Sequence, residues 1–363
     1  MLKILDKYLL RKFIVLFIYS MIAFLAIFLV IDLVENIDKF IDAGLTRQQV
    51  LTYYLLNVPF FISTALPMSM LIATVFSIGT LAKNNELTAM KSTGVSLYRI
   101  AAPVLLLATL ISVGSFFFDD QIKSQTDRKL ENYKEQYIQK RPPQSRLQRS
   151  NIFLQDSENR ILFIEQFNGR SLRGQHVTIQ YLQSDRLLKR IDGTRILWDE
   201  EQKTWLVENY VVRTFPTPDT EKVTQRGNST LQVDLNITPE DILKESLNPA
   251  QMNFQELSEF IDKLKMLGIA PRKWIVNLHF KIAFAFTNFV VVLFGFPLVA
   301  NQRHGGIAFG AGLSIFIIFT YYAFIKVGQV MGFNGILPPF FSVWMGNLVF
   351  IGAGVLLLTR TPK

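Results

Sequence analysis

Apolar residues in this chain come in blocks, not stripes. Six runs, Phe13 to Val34, Leu51 to Gly79, Ile100 to Phe118, Trp274 to Val299, Ile307 to Ile325 and Leu337 to Leu358, are each nearly unbroken. A helix on the surface of a soluble protein would interrupt them at every turn, whereas a helix crossing a hydrocarbon layer of roughly 30 Å needs about 20 apolar residues in succession. The runs therefore predict six membrane-spanning helices. From residue 119 to residue 272 no such run occurs, and short strand-like segments follow one another instead. The expected fold is an α-helical membrane protein with an inserted all-β domain, sandwich or jelly-roll-like. Its parts are 1–118 with the first three spans, 119–272 as the insert with flanking helices, and 273–363 with the last three.

Between the second and third spans lies a polar island, residues 81–94, Leu81-Ala-Lys-Asn-Asn-Glu-Leu-Thr-Ala-Met-Lys-Ser-Thr-Gly94. Leu81, Ala82, Glu86, Leu87, Ala89, Met90 and Lys91 are good helix formers, Gly94 supplies a stop, and Ser96 can cap the next helix. A solubilising loop is the plain reading. Glu86 favours another one, because its i+4 neighbour is Met90 and its basic neighbour Lys83 stands in the weaker orientation. The carboxylate is expected to be poorly paired within the helix and available to a partner. A helix pinned between two spans drags both when it moves, so it is a candidate lever.

Basic residues set the orientation. Lys3, Lys7, Arg11 and Lys12 precede the first span, Arg303 and His304 lie between the fourth and fifth, and Arg360 and Lys363 close the chain. The positive-inside bias places these ends in the cytoplasm and, by parity, residues 119–272 outside. Pro59 and Pro67 in the second span predict a kinked or interrupted helix, of packing or path-lining use alike. Asp32, Lys281 and Lys326 are the charges within spans. All three stand near span ends, within snorkelling reach of an interface, which argues against an ion-coupled carrier.

In the insert, Gln121 to Lys140 reads as a charged helix continuing the third span. Strands are expected at Asn151–Leu154, Arg160–Glu165, Val177–Leu182, Leu187–Ile191, Arg195–Trp198, Thr204–Thr214 and Leu231–Ile237, with turns at Asp156–Asn159, Asp192-Gly193, Asp199–Gln202 and Pro216–Asp219. Alternation directs Ile152, Leu154, Ile161, Phe163, Val177, Ile179, Tyr181, Trp198, Trp205, Val207 and Val211 inward. They form a plain hydrophobic core or, in an open-ended roll, a slot for acyl chains. Asn253 to Leu267 reads as an amphipathic helix ended by Gly268, with Phe254, Leu257, Ile261 and Leu264 on one face. Gly306-x-x-x-Gly310 and Gly328-x-x-x-Gly332 allow close helix approach, a packing device.

Composition narrows the chemistry. Half of the 363 residues are hydrophobic, the net charge is +9, and cysteine is absent, which excludes disulfides and thiolate sites together. No phosphate-cradling loop, nucleophile elbow or helical zinc pair occurs, so the chain is not expected to be an enzyme or to hold a cofactor or metal. The Lys and Arg clusters lack a basic-aromatic module, and no nucleic acid is expected.

The order of parts resembles the transmembrane subunits of the lipopolysaccharide export system, the F and G permease family. The likeness is carried by Leu5-Asp-Lys-Tyr8, the 81–94 island, Asn132-Tyr133, Leu235-Asn-Ile-Thr-Pro239 and the Leu257–Gly268 helix, and its start and Asn-Ile-Thr-Pro stretch are more G-like than F-like. The resemblance implies a non-catalytic half-transporter of the bacterial inner membrane, with both termini cytoplasmic and 119–272 periplasmic. Its implied partners are a cytoplasmic ABC ATPase dimer, a second permease subunit that is a paralogue or an identical copy, a periplasmic jelly-roll bridge and lipopolysaccharide. Glu86 matches the family's coupling-helix glutamate, with Leu87 and Met90 beside it as ATPase contacts. Lys39 and Lys134 are the nearest matches to substrate-binding basic residues, while Glu131 stands where one of a basic pair is expected. A mechanotransmission subunit that moves no lipid is the alternative.

Overall fold

The computed structural model describes residues 4–139, 148–157, 159–183, 186–217, 220–245, 249–266, 271–300 and 307–360. Lys3, Lys140, Pro218, Asp219, Leu267, Gly268, Arg303, His304, Gly306 and Lys363, which entered the sequence expectations, lie outside the described residues. The chain folds as two compact units. One comprises Met1–Glu131, Pro249–Phe254 and Arg272–Lys363, the other Asn132–Asn248 and Gln255–Pro271.

In the first unit, α1 (Ile4–Asp42), α2 (Arg47–Lys83), the short α3 (Glu86–Ser92) and α4 (Leu97–Ile138) follow one another. Helix α4 passes beyond Phe118 through π-helical turns at Asp119–Lys123 and Lys134–Ile138, as the charged continuation of span three predicted. Six helices among the described residues are long and apolar enough to cross a membrane, and α1, α2 and α4 are the first three. Of the kink or interruption expected at Pro59 and Pro67, the interruption does not occur, because α2 is continuous through both. It ends at Lys83. Asn85 then turns left-handed at φ 59°, a conformation that asparagine tolerates better than most residues, and restarts the chain as α3. Leu81, Ala82 and Lys83 thus belong to span two rather than to the short helix.

In the second unit, β1 (Gln148–Ser157), β2 (Arg160–Asn168), β3 (Arg173–Gln183), β4 (Arg186–Asp199), β5 (Thr204–Thr217) and β6 (Thr220–Val233) form one antiparallel sheet in chain order. The roll is made by curling this single sheet. Phe167 on β2 and Trp205 on β5 are three strand steps apart, about 14 Å on a flat sheet, yet their rings meet at 6.1 Å. The core is one cluster that takes residues from every strand, Leu154, Ile164, Ile179, Ile191, Trp205 and Val233 among them. Beyond β6 the chain closes the roll. The buried Asp156 of β1 accepts hydrogen bonds from the backbone N–H groups of Asn236 (2.6 Å) and Ile237 (3.1 Å) and pairs with Arg160, while Trp205 Nε1 donates to Ile237 O (2.6 Å). Thr238 and Asp241 then cap α5 (Pro239–Glu245), with Asp241 Oδ2 accepting from Thr238 N at 2.7 Å.

Two expectations fail in the sheet. Asp192-Gly193 is no turn, and the two strands predicted around it are the single strand β4. Gly193 faces the core, where a Cβ would run into Val207 and come within 3.0 Å of Val177, so the glycine serves packing. Strict alternation also breaks. In β2, β3 and β4 two successive residues face outward, Glu165-Gln166, Gln175-His176 and Thr194-Arg195, and in β5 Glu208-Asn209 make the same step. These steps pair across the sheet, Gln166 with Gln175, Gln175 with Arg195 and Arg195 with Glu208. His176 and Asn209 carry the positive φ that a bulge-like step needs. Past this seam the inward parity changes, so Tyr210 and Val212 are buried rather than Val211. In β2 the buried residues are Leu162, Ile164 and Phe167, while Ile161 and Phe163 are half-buried.

Helix α6 (Phe254–Met266) buries Leu257, Ile261 and Leu264 of the face read from the sequence, together with Phe260, while Phe254 is half-buried. In the first unit, α7 (Arg272–Ala300), α8 (Ile307–Phe333) and α9 (Pro339–Arg360) complete the bundle. Two-thirds of the most apolar stretch of α2 and of α7 is buried, and none of that of α1. Helices α2 and α7 are central, and α1 is peripheral. A Cβ on Gly328 or on Gly332 would strike Ser342, which explains the small-residue spacing as a close α8–α9 crossing. Tyr321, at the heart of α8, hydrogen-bonds with Thr287 of α7 (3.0 Å) and with Asn347 of α9, and the Asn347 amide donates to Ala283 O (2.9 Å).

Candidate functional site

The polar island folds into a bracket at one end of the bundle. Helix α3 stops through a Schellman arrangement, in which Val95 N donates to Met90 O (3.3 Å) and Gly94 N to Lys91 O (2.9 Å), with Gly94 at φ 84°. Ser96 then caps α4 by accepting from Arg99 N (3.3 Å), as the sequence predicted. The bracket rests on a small core of Leu9 from α1, Ile78 and Leu81 from α2, Leu87 from α3, Leu97 and Ile100 from α4, and Phe296 from α7. Leu5, Met90 and Val95 pack against it.

Leu87 is only 3% exposed and the half-buried Met90 leans on the same core, so both anchor α3 to the bundle. The exposed face of α3 and its flanks is Lys83, Asn84, Asn85, Thr88, Ala89, Ser92 and Thr93. Small side chains make this face flat.

Glu86 is not the unpaired carboxylate that its own helix implies. Tyr8 donates its hydroxyl to Oε2 at 2.6 Å, Asn84 Nδ2 donates to Oε1 at 3.2 Å, and Lys12 Nζ lies 3.4 Å from Oε1. Lys12 also donates to the Tyr8 hydroxyl (3.2 Å) and sits over its ring. These bonds, the Tyr8 hydroxyl first, hold the Glu86 carboxyl below the usual carboxylate range. Two residues before Tyr8, the buried Asp6 grips the Arg99 guanidinium with both oxygens, at 2.7 and 2.8 Å. Sequence reasoning missed Asp6, Tyr8, Lys12 and Arg99 as site residues. The only local signal was the i, i+4 placement of Tyr8 and Lys12 on one helix face, which does not name their common partner.

The remaining expected site residues lie elsewhere. Lys39 is exposed near the end of α1 and donates to Asn36 Oδ1 (2.8 Å). Lys134 belongs to the second unit, in the last π turn of α4. A second polar cluster joins α2, α4 and α7 at the end of the bundle away from α3. There Asp119 accepts from Ser63 Oγ (3.0 Å), Lys281 lies 3.8 Å from Asp120, and Asp120 also accepts from Phe254 N (2.5 Å). Lys281 is therefore paired inside the bundle, not snorkelling. Its Lys123 neighbour sits between the Phe60 and Phe284 rings, 5.7 and 5.9 Å from their centroids. In the second unit a polar groove of about 480 Å³ follows the sheet seam, lined by Gln166, Asn168, Arg173, Gln175, Arg195 and Glu208 among others. Among the described residues no group of His, Asp and Glu is placed to hold a metal ion.

Among the described residues, six apolar helices, a β roll inserted between the third and fourth, and a short helix packed on one end of the bundle define a polytopic helical membrane protein with an inserted β domain. The profile of the lipopolysaccharide export system permease family LptF/LptG matches residues 7–360, and the chain belongs to that family. It is 22% identical over 348 residues to the lipopolysaccharide export system permease protein LptG of Escherichia coli strain K12, covering 93% of this chain and 94% of that protein. The LptG of E. coli O6:H1 strain CFT073 is equally similar over the same extent.

Proposed function

We propose that this chain is the non-catalytic permease half of an ATP-driven exporter that lifts lipopolysaccharide out of the bacterial inner membrane and passes it to a periplasmic bridge. The ATPase is a separate cytoplasmic dimer, and a second permease subunit, paralogue or identical copy, completes the membrane part. The observation that carries the reading is α3 itself. It is a separate helix of seven residues, flat and polar outside, sunk by Leu87 into a core shared by the ends of α1, α2, α4 and α7. A soluble partner that seats on Thr88, Ala89 and Ser92 and approaches Glu86 with a cationic group would move four spans at once, because a packed core transmits displacement. Both termini and α3 lie in the cytoplasm on this reading, and the β roll in the periplasm. Lys39 and Lys134 are offered as contacts for the phosphates of the lipid headgroup, since ammonium groups pair with phosphate oxygens wherever water is partly excluded.

The test is purification of the tagged chain from its own membranes, followed by Glu86→Ala. An ATPase and a phosphorylated glycolipid are expected to travel with the wild type, and the substitution is expected to lower ATP-dependent lipid release by about tenfold, the equivalent of about 1.4 kcal/mol. Unchanged association and unchanged release in the variant would remove Glu86 from the coupling path. A wild-type chain with ATPase but no lipid would favour a mechanotransmission subunit that relays strokes to a periplasmic partner.

A further inference from the structure

Spans two and three flank α3 in the chain, so any motion of α3 reaches them through covalent connections. Span one has no such link, yet its first three turns supply the polar contacts that hold the bracket. Asp6 is buried and meets Arg99 with both carboxylate oxygens, in the first turn of α4 just past α3. Tyr8 and Lys12 meet Glu86, the first residue of α3. The start of α1 thus fastens to both ends of the bracket. Beyond that point α1 lies against α2 and α4, its most apolar stretch has no buried residue, and Ile18, Ile22, Val30 and Val34 are all exposed. Its far end is held as well, by the buried Phe40 against the Tyr53 and Tyr54 rings (5.0 and 6.2 Å), so the exposed middle of α1 is the part freest to follow the fastening.

We propose that Asp6 and Arg99 are positioning residues that fasten span one to the start of α4, where the α3 bracket ends, so that α1 is driven together with α4 when α3 is displaced. Tyr8 and Lys12 complete the fastening and aim the Glu86 carboxylate. The proposal rests on the reading of α3 as the docking point of the driving partner. A doubly hydrogen-bonded pair with a buried carboxylate suits the task. It is stiff in direction, and separating it strands a charge away from water, so the two helices move together rather than slide.

The experiment uses the whole transporter complex in lipid bilayers containing a phosphorylated lipid A-type glycolipid, with ATP hydrolysis and lipid release measured together. Asp6→Arg and Arg99→Asp are each expected to lower lipid released per ATP by about tenfold, with the subunits still co-purifying, and the double exchange is expected to recover most of the loss. A purely local stability role would move abundance and both activities together. The chain has no native cysteine, so spin labels at Ile22→Cys and Val355→Cys report the α1 to α9 distance directly. Its change on nucleotide binding should vanish in either single reversal and return in the exchange. Single variants with wild-type lipid per ATP, or with an unchanged label response, would overturn the proposal. Where a reversal does not accumulate, Asp6→Asn takes its place, and a wild-type ratio in that variant overturns it equally. A wild-type complex that releases lipid without hydrolysing ATP would instead sink the functional reading on which the proposal rests.

Discussion

Glu86 has no strong partner along its own helix, and that much is legible from Lys83 and Met90. Its real partner, the Tyr8 hydroxyl, is 78 residues away and reaches it only because α1 and α3 meet at the bundle end. The contact has a pH consequence. A carboxyl held below its usual range is stabilised in the ionised form, so the stabilisation is complete above the ordinary carboxylate range and lost only as the pH falls through the lowered value. Between about pH 6 and pH 8 the contact is therefore expected to be constant. Tyr8→Phe removes the largest cause and should move the titration of Glu86 upward toward its ordinary value, read by carbon NMR of the labelled carboxyl in nanodiscs. Absence of any upward movement would mean that the hydroxyl is not its main donor. Inward and outward positions in the sheet were legible only where apolar and polar residues alternate. Ile161-Leu-Phe-Ile164 is apolar throughout, so its phase is set by the neighbouring strands and not by its own pattern.

Spans are legible as elements because the bilayer imposes a length on any helix that crosses it, and that length appears as an apolar run. Their joints are less so. Proline in the second span does not stop its helix, and asparagine at position 85 does restart one, because neighbouring helices decide which backbone irregularities are tolerated. The α8–α9 crossing shows where spacing does carry meaning. Gly328→Val should force the helices apart at Ser342 and destabilise the bundle by about 1–3 kcal/mol. Melting of the purified protein in detergent should fall by several degrees or about that amount of free energy. The same substitution at Gly352, where a Cβ meets open space, should leave the melting point nearly unchanged.

Across the whole molecule the sheet is a roll because its far strands are tied to one another, and Asp156 makes the tie. It holds two backbone N–H groups of the Leu235–Pro239 stretch and the Arg160 guanidinium while fully buried itself. Asp156→Ala strands all three donors and should cost about 3–5 kcal/mol, seen as rapid proteolysis of the 148–245 region in the intact protein at a protease level that spares the wild type. A protease pattern like that of the wild type would show that the core alone keeps the roll closed. The sequence singled out Asn236-Ile-Thr-Pro239 by resemblance only; the tie gives it a physical reason.

By itself the sequence determined the class of solvent each segment meets. Long runs with few polar residues can only be buried in lipid or protein, and successive short strands with an apolar face can only roll up around it, so six spans and a β insert were settled by local pattern. Tertiary structure decided which polar groups meet. The pairing of Asp6 with Arg99, of Tyr8 with Glu86 and of Asp120 with Lys281 joins residues from separate helices, and a hydrogen bond depends on distances of a few tenths of an ångström that only packing sets.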